Sequence, residues 1–216
     1  MKPDCKTLIA GVVLAGGQAR RMGGANKCLL NLSGKPVLSH VLKRACPQVG
    51  PIILNANGDP SEYSDFCLPV AADVVGGSAG PLAGILTALE WASANAPNCQ
   101  YVASFPGDSP FFPADLVEKL YEKIQSGSTM AYASSQQRHH PVFGLWPVNT
   151  QNELRDAMIT DKIRKVDRWT SRHNLGVVNY PVTAIDPFFN LNTPNDLLKA
   201  ECHLQKNNVT APDENY

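Results

Sequence analysis

Residues 8–27 read LIAGVVLAGGQARRMGGANK, and this stretch decides the fold. The apolar run Leu8 to Val13, closed by Gly16-Gly17, has the length and composition of a buried strand that empties into a loop. The loop carries four glycines and three cations, Arg20, Arg21 and Lys27. Glycine lets a backbone come close to a bulky ligand, so several N–H groups can converge on one anion. Clustered cations in the same loop point to a heavily charged anion, a polyphosphate rather than a carboxylate. The alternative is a surface turn that happens to be basic.

Neither familiar nucleotide fingerprint fits. A P-loop needs Gly-Lys-Ser/Thr, whereas Lys27 is followed by Cys28-Leu29-Leu30. The dinucleotide pattern G-x-G-x-x-G is not matched by Gly16-Gly17-Gln18-Ala19-Arg20-Arg21. A third phosphate-binding geometry on a nucleotide-binding α/β domain is implied.

The rest of the chain supports that domain. Strand-like and helix-like segments alternate, as in a parallel sheet covered on both faces, and Val142 to Trp146 reads as the return strand of a hairpin after Gln136-Gln137-Arg138, making the sheet mixed. Pro51 to Asn55 and Leu68 to Ala71 read as strands, the second ending near Asp73. Gly76 to Gly84 is a second glycine-rich turn into a helix over Leu82 to Ala94, with Leu82, Ile85, Leu86 and Leu89 on one face; it is either an anion site or a tight connection. Tyr101 to Phe105 runs into Pro106-Gly107-Asp108, placing a carboxylate just past a buried strand, where open α/β sheets bind ligands. Beside a polyphosphate, Asp108 is expected to hold a magnesium ion; otherwise it caps a turn. His139 and His140 are neighbours on a strand, so they face opposite ways and cannot readily share one ion. Lys162 to Trp169 reads as a helix whose cations form a solvated face or a second anion site. Thr193-Pro194 starts a last helix running to about Leu204, and a disordered tail is expected over 207–216 after a single domain over 1–206.

Composition narrows the partners. Nineteen Lys and Arg balance 19 Asp and Glu, which argues against nucleic acid or an anionic membrane. No apolar run approaches a membrane span, and the six cysteines are scattered without a C-x-x-C pair, a pattern expected of reduced, buried thiols in a cytoplasmic protein.

In their order, LAGGQARRMGGANK, Asn55, Asp73, GPLAG at 80–84, PGDSP at 106–110 and NLNTPNDL at 190–197 resemble the molybdenum cofactor guanylyltransferase family, within the wider nucleotidyltransferase superfamily. The resemblance runs from about Ile9 to Leu198. It implies a three-layer, Rossmann-like α/β fold with a mostly parallel sheet, and transfer of GMP from GTP to Mo-molybdopterin with release of pyrophosphate. It also implies that Leu14, Ala15, Gly16 and Gly17 contact GTP, with Lys27 on its phosphates. Asn55 and Asp73 would meet the nucleoside, Asp108 would hold Mg2+, and Gly80, Asn190 and Asn192 would lie toward molybdopterin. Arg21, Lys27 and Asp108 are then the catalytic residues. Other molybdenum cofactor biosynthesis proteins and acceptor molybdoenzymes are the implied protein partners. Asn26 stands where the family loop usually has Asp, which is read as a changed loop hydrogen bond because Lys27 and Asp108 are both present. A cytidylyltransferase on the same pterin, a sugar-1-phosphate nucleotidylyltransferase and a non-catalytic GTP-binding module stay open at this point.

Overall fold

The structure is a computed structural model that describes residues 5–16, 26–76 and 80–209. Its centre is a seven-stranded sheet in the order β5-β4-β1-β6-β8-β7-β9. The strands are β1 (Ile9–Leu14), β4 (Ile52–Asn55), β5 (Val70–Ala71), β6 (Tyr101–Pro106), β7 (Met130–Ser135), β8 (Arg138–Pro147) and β9 (Leu175–Tyr180), while β2 (Asn31–Leu32) and β3 (Lys35–Pro36) form a separate small hairpin. Within the large sheet β8 runs antiparallel to both neighbours, and the other pairings are parallel.

Side-chain alternation along the central strands builds two cores. Ile9 and Val13 of β1 enter one core, and Ala10 and Val12 enter the other. The first is covered by α1 (Val37–Ala45), α3 (Leu116–Gln125) and α6 (Pro194–Val209); the second by α2 (Pro81–Asn95), α4 (Gln151–Ile159) and α5 (Val166–Thr170). This is the three-layer α/β arrangement expected, with a mixed, mostly parallel sheet.

The structure departs from the sequence reading in several places. Residues Leu82 to Leu89 of α2 are all buried, not just one face, because α4 packs on the outside of α2 and Arg155 pairs with Glu90 through two 2.7 Å hydrogen bonds. The basic segment is helical only over Val166–Thr170. Lys162 takes a positive φ of 56°, and Ile163 turns inward to the second core, its N–H donating to Ala157 O at 3.0 Å. Cys28 and Cys99 are buried, but Cys46, Cys67 and Cys202 are exposed, so burial is not the common property of the thiols. Helix α6 continues to Val209, beyond the expected end at Leu204. Its start is as expected: Thr193 Oγ1 accepts from Asp196 N (3.2 Å) and Asp196 Oδ2 accepts from Thr193 N (2.9 Å), a reciprocal cap.

Candidate active site

The parallel strands end together, and a cleft of about 690 Å³ opens over their carboxyl ends. Chain order reverses at β1, which pairs with β4 on one side and β6 on the other. Open α/β sheets bind ligands at such a reversal. Leu14, Gly16, Lys27, Asn55, Asp73, Gly80, Asp108 and Asn190 all line this one cleft. Ala15 is buried directly behind it, and Asn192 reaches it through Lys27. Gly17, Arg20 and Arg21 lie outside the described residues.

Lys27 and Asp108 meet at the middle. Their charged groups stand 3.9 Å apart, with side chains only 17% and 19% exposed. Burial pushes the Asp108 carboxyl above the usual carboxylate range, and the Lys27 ammonium partly opposes that shift. Lys27 Nζ also donates to Asn192 Oδ1 at 2.7 Å. The segment that carries Asn190 and Asn192 is held to this centre: Leu191 N donates to Asp108 O (2.9 Å), and Ser109 Oγ lies 3.0 Å from Asn190 Oδ1. A segment distant in sequence thus completes a site started by β1 and β6.

At the β4 end, Asp73 is gripped on both oxygens. Asn55 Nδ2 donates to Oδ1 (3.0 Å) and Asn57 Nδ2 to Oδ2 (2.8 Å), while Asp73 N donates to Asn57 Oδ1 (2.9 Å). A carboxylate held this way keeps lone pairs for a hydroxyl or N–H of a ligand. Asn57, which the sequence did not single out, joins the site because Asp73 folds back onto it.

The glycine loop is anchored where it rejoins the fold. Asn26 Oδ1 accepts from Cys28 N (3.2 Å), capping the short turn at Lys27–Leu29, and its amide nitrogen donates to Tyr63 Oη. Tyr63 Oη donates in turn to Ala15 O (3.4 Å). Cys28 lies beneath with its thiol pushed up to about 12, first by burial and then by the Asp108 charge. A thiol so reluctant to ionise is no nucleophile at neutral pH.

At the opposite end of the cleft, β8 supplies Arg138, His139, His140 and Phe143. The register between β7 and β8 shifts between Tyr132 and Ala133: Tyr132 pairs with Gly144 but Ala133 with His140. Such irregularities re-aim side chains near active sites. The two histidines face different partners, His139 Nδ1 with Tyr132 Oη (2.8 Å) and His140 Nε2 with Ser135 Oγ (2.7 Å). Arg164 of the basic segment is committed elsewhere, donating to Met158 O (2.6 Å) and Ile163 O (2.9 Å).

A largely buried lysine and a lone strand-end carboxylate share one cleft, and comparison with known proteins says which family carries it. Residues 11–175 match the MobA-like NTP transferase domain. The molybdenum cofactor guanylyltransferase of Rhodopseudomonas palustris (strain BisB5) is 48% identical over 191 residues, covering 88% of this chain and 91% of that protein. The chain belongs to the molybdenum cofactor guanylyltransferase family. The family member from Nitrobacter hamburgensis is 47% identical, covering 88% of this chain and 92% of its own. Among solved structures, the molybdopterin-guanine dinucleotide biosynthesis protein A from Archaeoglobus fulgidus superposes with a TM-score of 0.67 at 27% identity, covering 91% of this chain and 99% of that one. As a member of this guanylyltransferase family the chain is a nucleotidyltransferase enzyme of molybdenum cofactor biosynthesis.

Among the described residues no three His, Cys, Asp or Glu side chains cluster as a metal cage. Asp108 nonetheless suits Mg2+, which is usually taken by one or two carboxylates together with substrate phosphate oxygens. Among the described residues its carboxylate has the Lys27 ammonium at 3.9 Å and the Ser109 hydroxyl donating to Oδ1 at 3.4 Å. No described helix is long and apolar enough to cross a membrane.

Proposed function

We propose that the chain transfers GMP from GTP to the terminal phosphate of Mo-molybdopterin in the cytoplasm, forming the guanine dinucleotide cofactor and releasing pyrophosphate. The observation that carries this reading is the meeting of Lys27 and Asp108 at the centre of a cleft whose two ends are differently furnished. The Asn55–Asp73 end takes the guanosine, and the Gly80, Asn190 and β8 end takes the pterin. Leu14, Ala15, Gly16 and Gly17 contact the GTP, with Lys27 on its phosphates.

The acceptor brings its own phosphate oxyanion, so no side-chain nucleophile is needed. The obstacle is repulsion between that anion and the triphosphate, and catalysis is positioning plus charge neutralisation. Lys27 places its ammonium against the phosphates and Arg21 adds a second cation from the glycine loop. Asp108 would hold Mg2+, which supplies charge neutralisation at the donor oxygens. Asn192 fixes the Lys27 ammonium in position while Asn190 and Ser109 brace the strand end that carries Asp108.

The deciding experiment is mass analysis of the pterin product after incubation with Mo-molybdopterin, Mg2+ and a mixture of GTP and CTP. The expected product carries GMP, with pyrophosphate released in equal amount. A CMP adduct would move the base assignment to cytidylyl transfer; GTP binding without pyrophosphate release would make the chain a sensor.

A further inference from the structure

One polar chain at the β8 end has no part in the chemistry above. Ser135 Oγ, fully buried, lies 2.7 Å from His140 Nε2 and 3.0 Å from each oxygen of Asp186. Asp186 Oδ1 also accepts from Phe188 N at 2.9 Å. The carboxylate can only accept, so the single Ser135 hydroxyl proton goes to Asp186. Ser135 Oγ must then accept from the ring, which places the His140 proton on Nε2. The Phe188 ring packs against the imidazole with centroids 4.7 Å apart, holding it in this orientation.

His140 Nδ1 is therefore the bare nitrogen. It has no hydrogen-bond partner among the described residues, yet it is not sealed in, since His173 Nε2 is the one buried side-chain nitrogen or oxygen left unpaired among them. His140 lines the main cleft. Burial favours the neutral ring; Arg138 and His139 reinforce this and the Asp186 charge opposes it. A neutral imidazole with Nε2 protonated offers a lone pair at Nδ1 and nothing else.

The sheet order says which substrate meets it. From β4, which carries Asn55, to β8 is three strand steps through β1 and β6. At about 4.8 Å per step, this puts the two ends about 14 Å apart, with Lys27 and Asp108 between. That separation suits two substrates joined at a phosphate.

We propose that His140 is a specificity-determining residue for the acceptor: its Nδ1 accepts a hydrogen bond from an N–H or O–H donor of the pterin, and Ser135 and Asp186 are positioning residues that hold the required tautomer. This inference rests on the proposed acceptor, a pterin phosphate. Buried acceptors of this kind discriminate strongly, because a ligand lacking the donor leaves the lone pair unpaired.

The test compares wild type, His140→Phe, His140→Asn and Ser135→Ala in steady-state pyrophosphate release, and in fluorescence titration of 6-hydroxymethylpterin in the presence of GTP. His140→Phe should raise KM for Mo-molybdopterin about tenfold, the scale of one lost hydrogen bond, with KM for GTP unchanged. His140→Asn, which keeps an acceptor close to the Nδ1 position, should recover most of the loss. Ser135→Ala should raise the acceptor KM less than His140→Phe and add nothing to it in the double variant. A wild-type acceptor KM in His140→Phe, or a change confined to GTP, overturns the inference while leaving the transferase reading intact. Absence of turnover in wild type overturns the transferase reading; the pterin titration then decides the inference separately, and equal affinity in wild type and His140→Phe refutes it.

Discussion

Gly84 joins the packing of α2 to the end of the cleft proposed to take the nucleoside. It sits in α2 with its face against the end of β1 and β4, and a Cβ added there would collide with Asn55 Oδ1, lie 2.9 Å from Asn55 Cγ and 2.6 Å from Leu14 Cδ2. Asn55 cannot yield freely: it is 5% exposed, and Nδ2 donates to Ala71 O (3.1 Å) and to Asp73 Oδ1 (3.0 Å). Gly84→Ala must therefore either overpack the site, at about 1–3 kcal/mol, or turn the amide away from a charged partner, a hydrogen bond of about 1.5–3 kcal/mol. The better helix propensity of alanine offsets about 1 kcal/mol. The net loss is up to about 2 kcal/mol, which in a domain of this size lowers Tm by up to roughly 8 °C. Because Asn55 holds Asp73, KM for GTP should rise about tenfold, equivalent to about 1.4 kcal/mol. Thermal melts and pyrophosphate release against GTP measure both. Gly76→Ala is the control, since a Cβ there meets nothing within 4 Å. If the clash is with Asn55, adding Asn55→Ala to Gly84→Ala should cost less stability than Asn55→Ala costs alone. A Gly84→Ala protein with wild-type Tm and KM, or strictly additive losses in that cycle, would refute the reasoning.

Lys27→Ala and Asp108→Asn should each lower kcat about 100-fold or more, the scale of one charge-stabilising group, with folding intact by circular dichroism; near-normal turnover in both removes the mechanism. Asp108 is held above its ordinary pKa by burial, so its ionised form costs the native state stability once the pH exceeds that raised value. Asp108→Asn should therefore melt no lower than wild type at neutral pH with chelator present, and a clear drop in Tm contradicts the burial argument. Tyr63→Phe leaves Asn26 Nδ2 and Ala15 O without their shared partner and should cost about 1–3 kcal/mol, read by denaturant unfolding. Cys28 binds its proton more tightly folded than unfolded, so between the ordinary thiol value of 9.0 and about 12 its stabilising effect is lost as pH rises. Cys28→Ser should flatten that fall, by up to about 1.4 kcal/mol per pH unit, while kcat at neutral pH stays near wild type.

What the sequence made legible was whatever the chain keeps local. Strands β1, β4 and β6 deliver cleft-lining residues at or just past their last apolar positions, so Gly16, Asn55 and Asp108 could be found by reading past the end of an apolar run. Lys27 followed from the loop's charge. The second glycine-rich turn was ambiguous because glycine serves both anion approach and close packing, and the structure gives Gly84 a packing reason and Gly80 a conformational one, with φ at +72°. The Ser135–His140–Asp186 chain was not legible, since its last member is 51 residues from Ser135 and only the return of the chain over β7 brings it in. The basic segment misled for a related reason: its spacing fits a helix, but burial of Ile163 and the carbonyls that engage Arg164 outweigh local propensity.

The Asn26 position shows how the chain can hold the loop with an amide where the resemblance leads one to expect Asp. Both residues can cap the turn at Lys27–Leu29 through a side-chain oxygen, so the bond to Cys28 N does not distinguish them. The difference is at the second side-chain atom. An amide donates to Tyr63 Oη, which frees the phenol proton for Ala15 O. A carboxylate could only accept, and would draw that proton away from Ala15, the residue at the mouth of the glycine loop. Asn26 therefore ties the loop's return to its departure through Tyr63, and it does so without adding a negative charge to a cleft that must receive a triphosphate. Asn26→Asp should accordingly leave the fold intact and raise KM for GTP by several-fold, with a shallower penalty in a Tyr63→Phe background, where the phenol proton that the carboxylate would capture no longer exists.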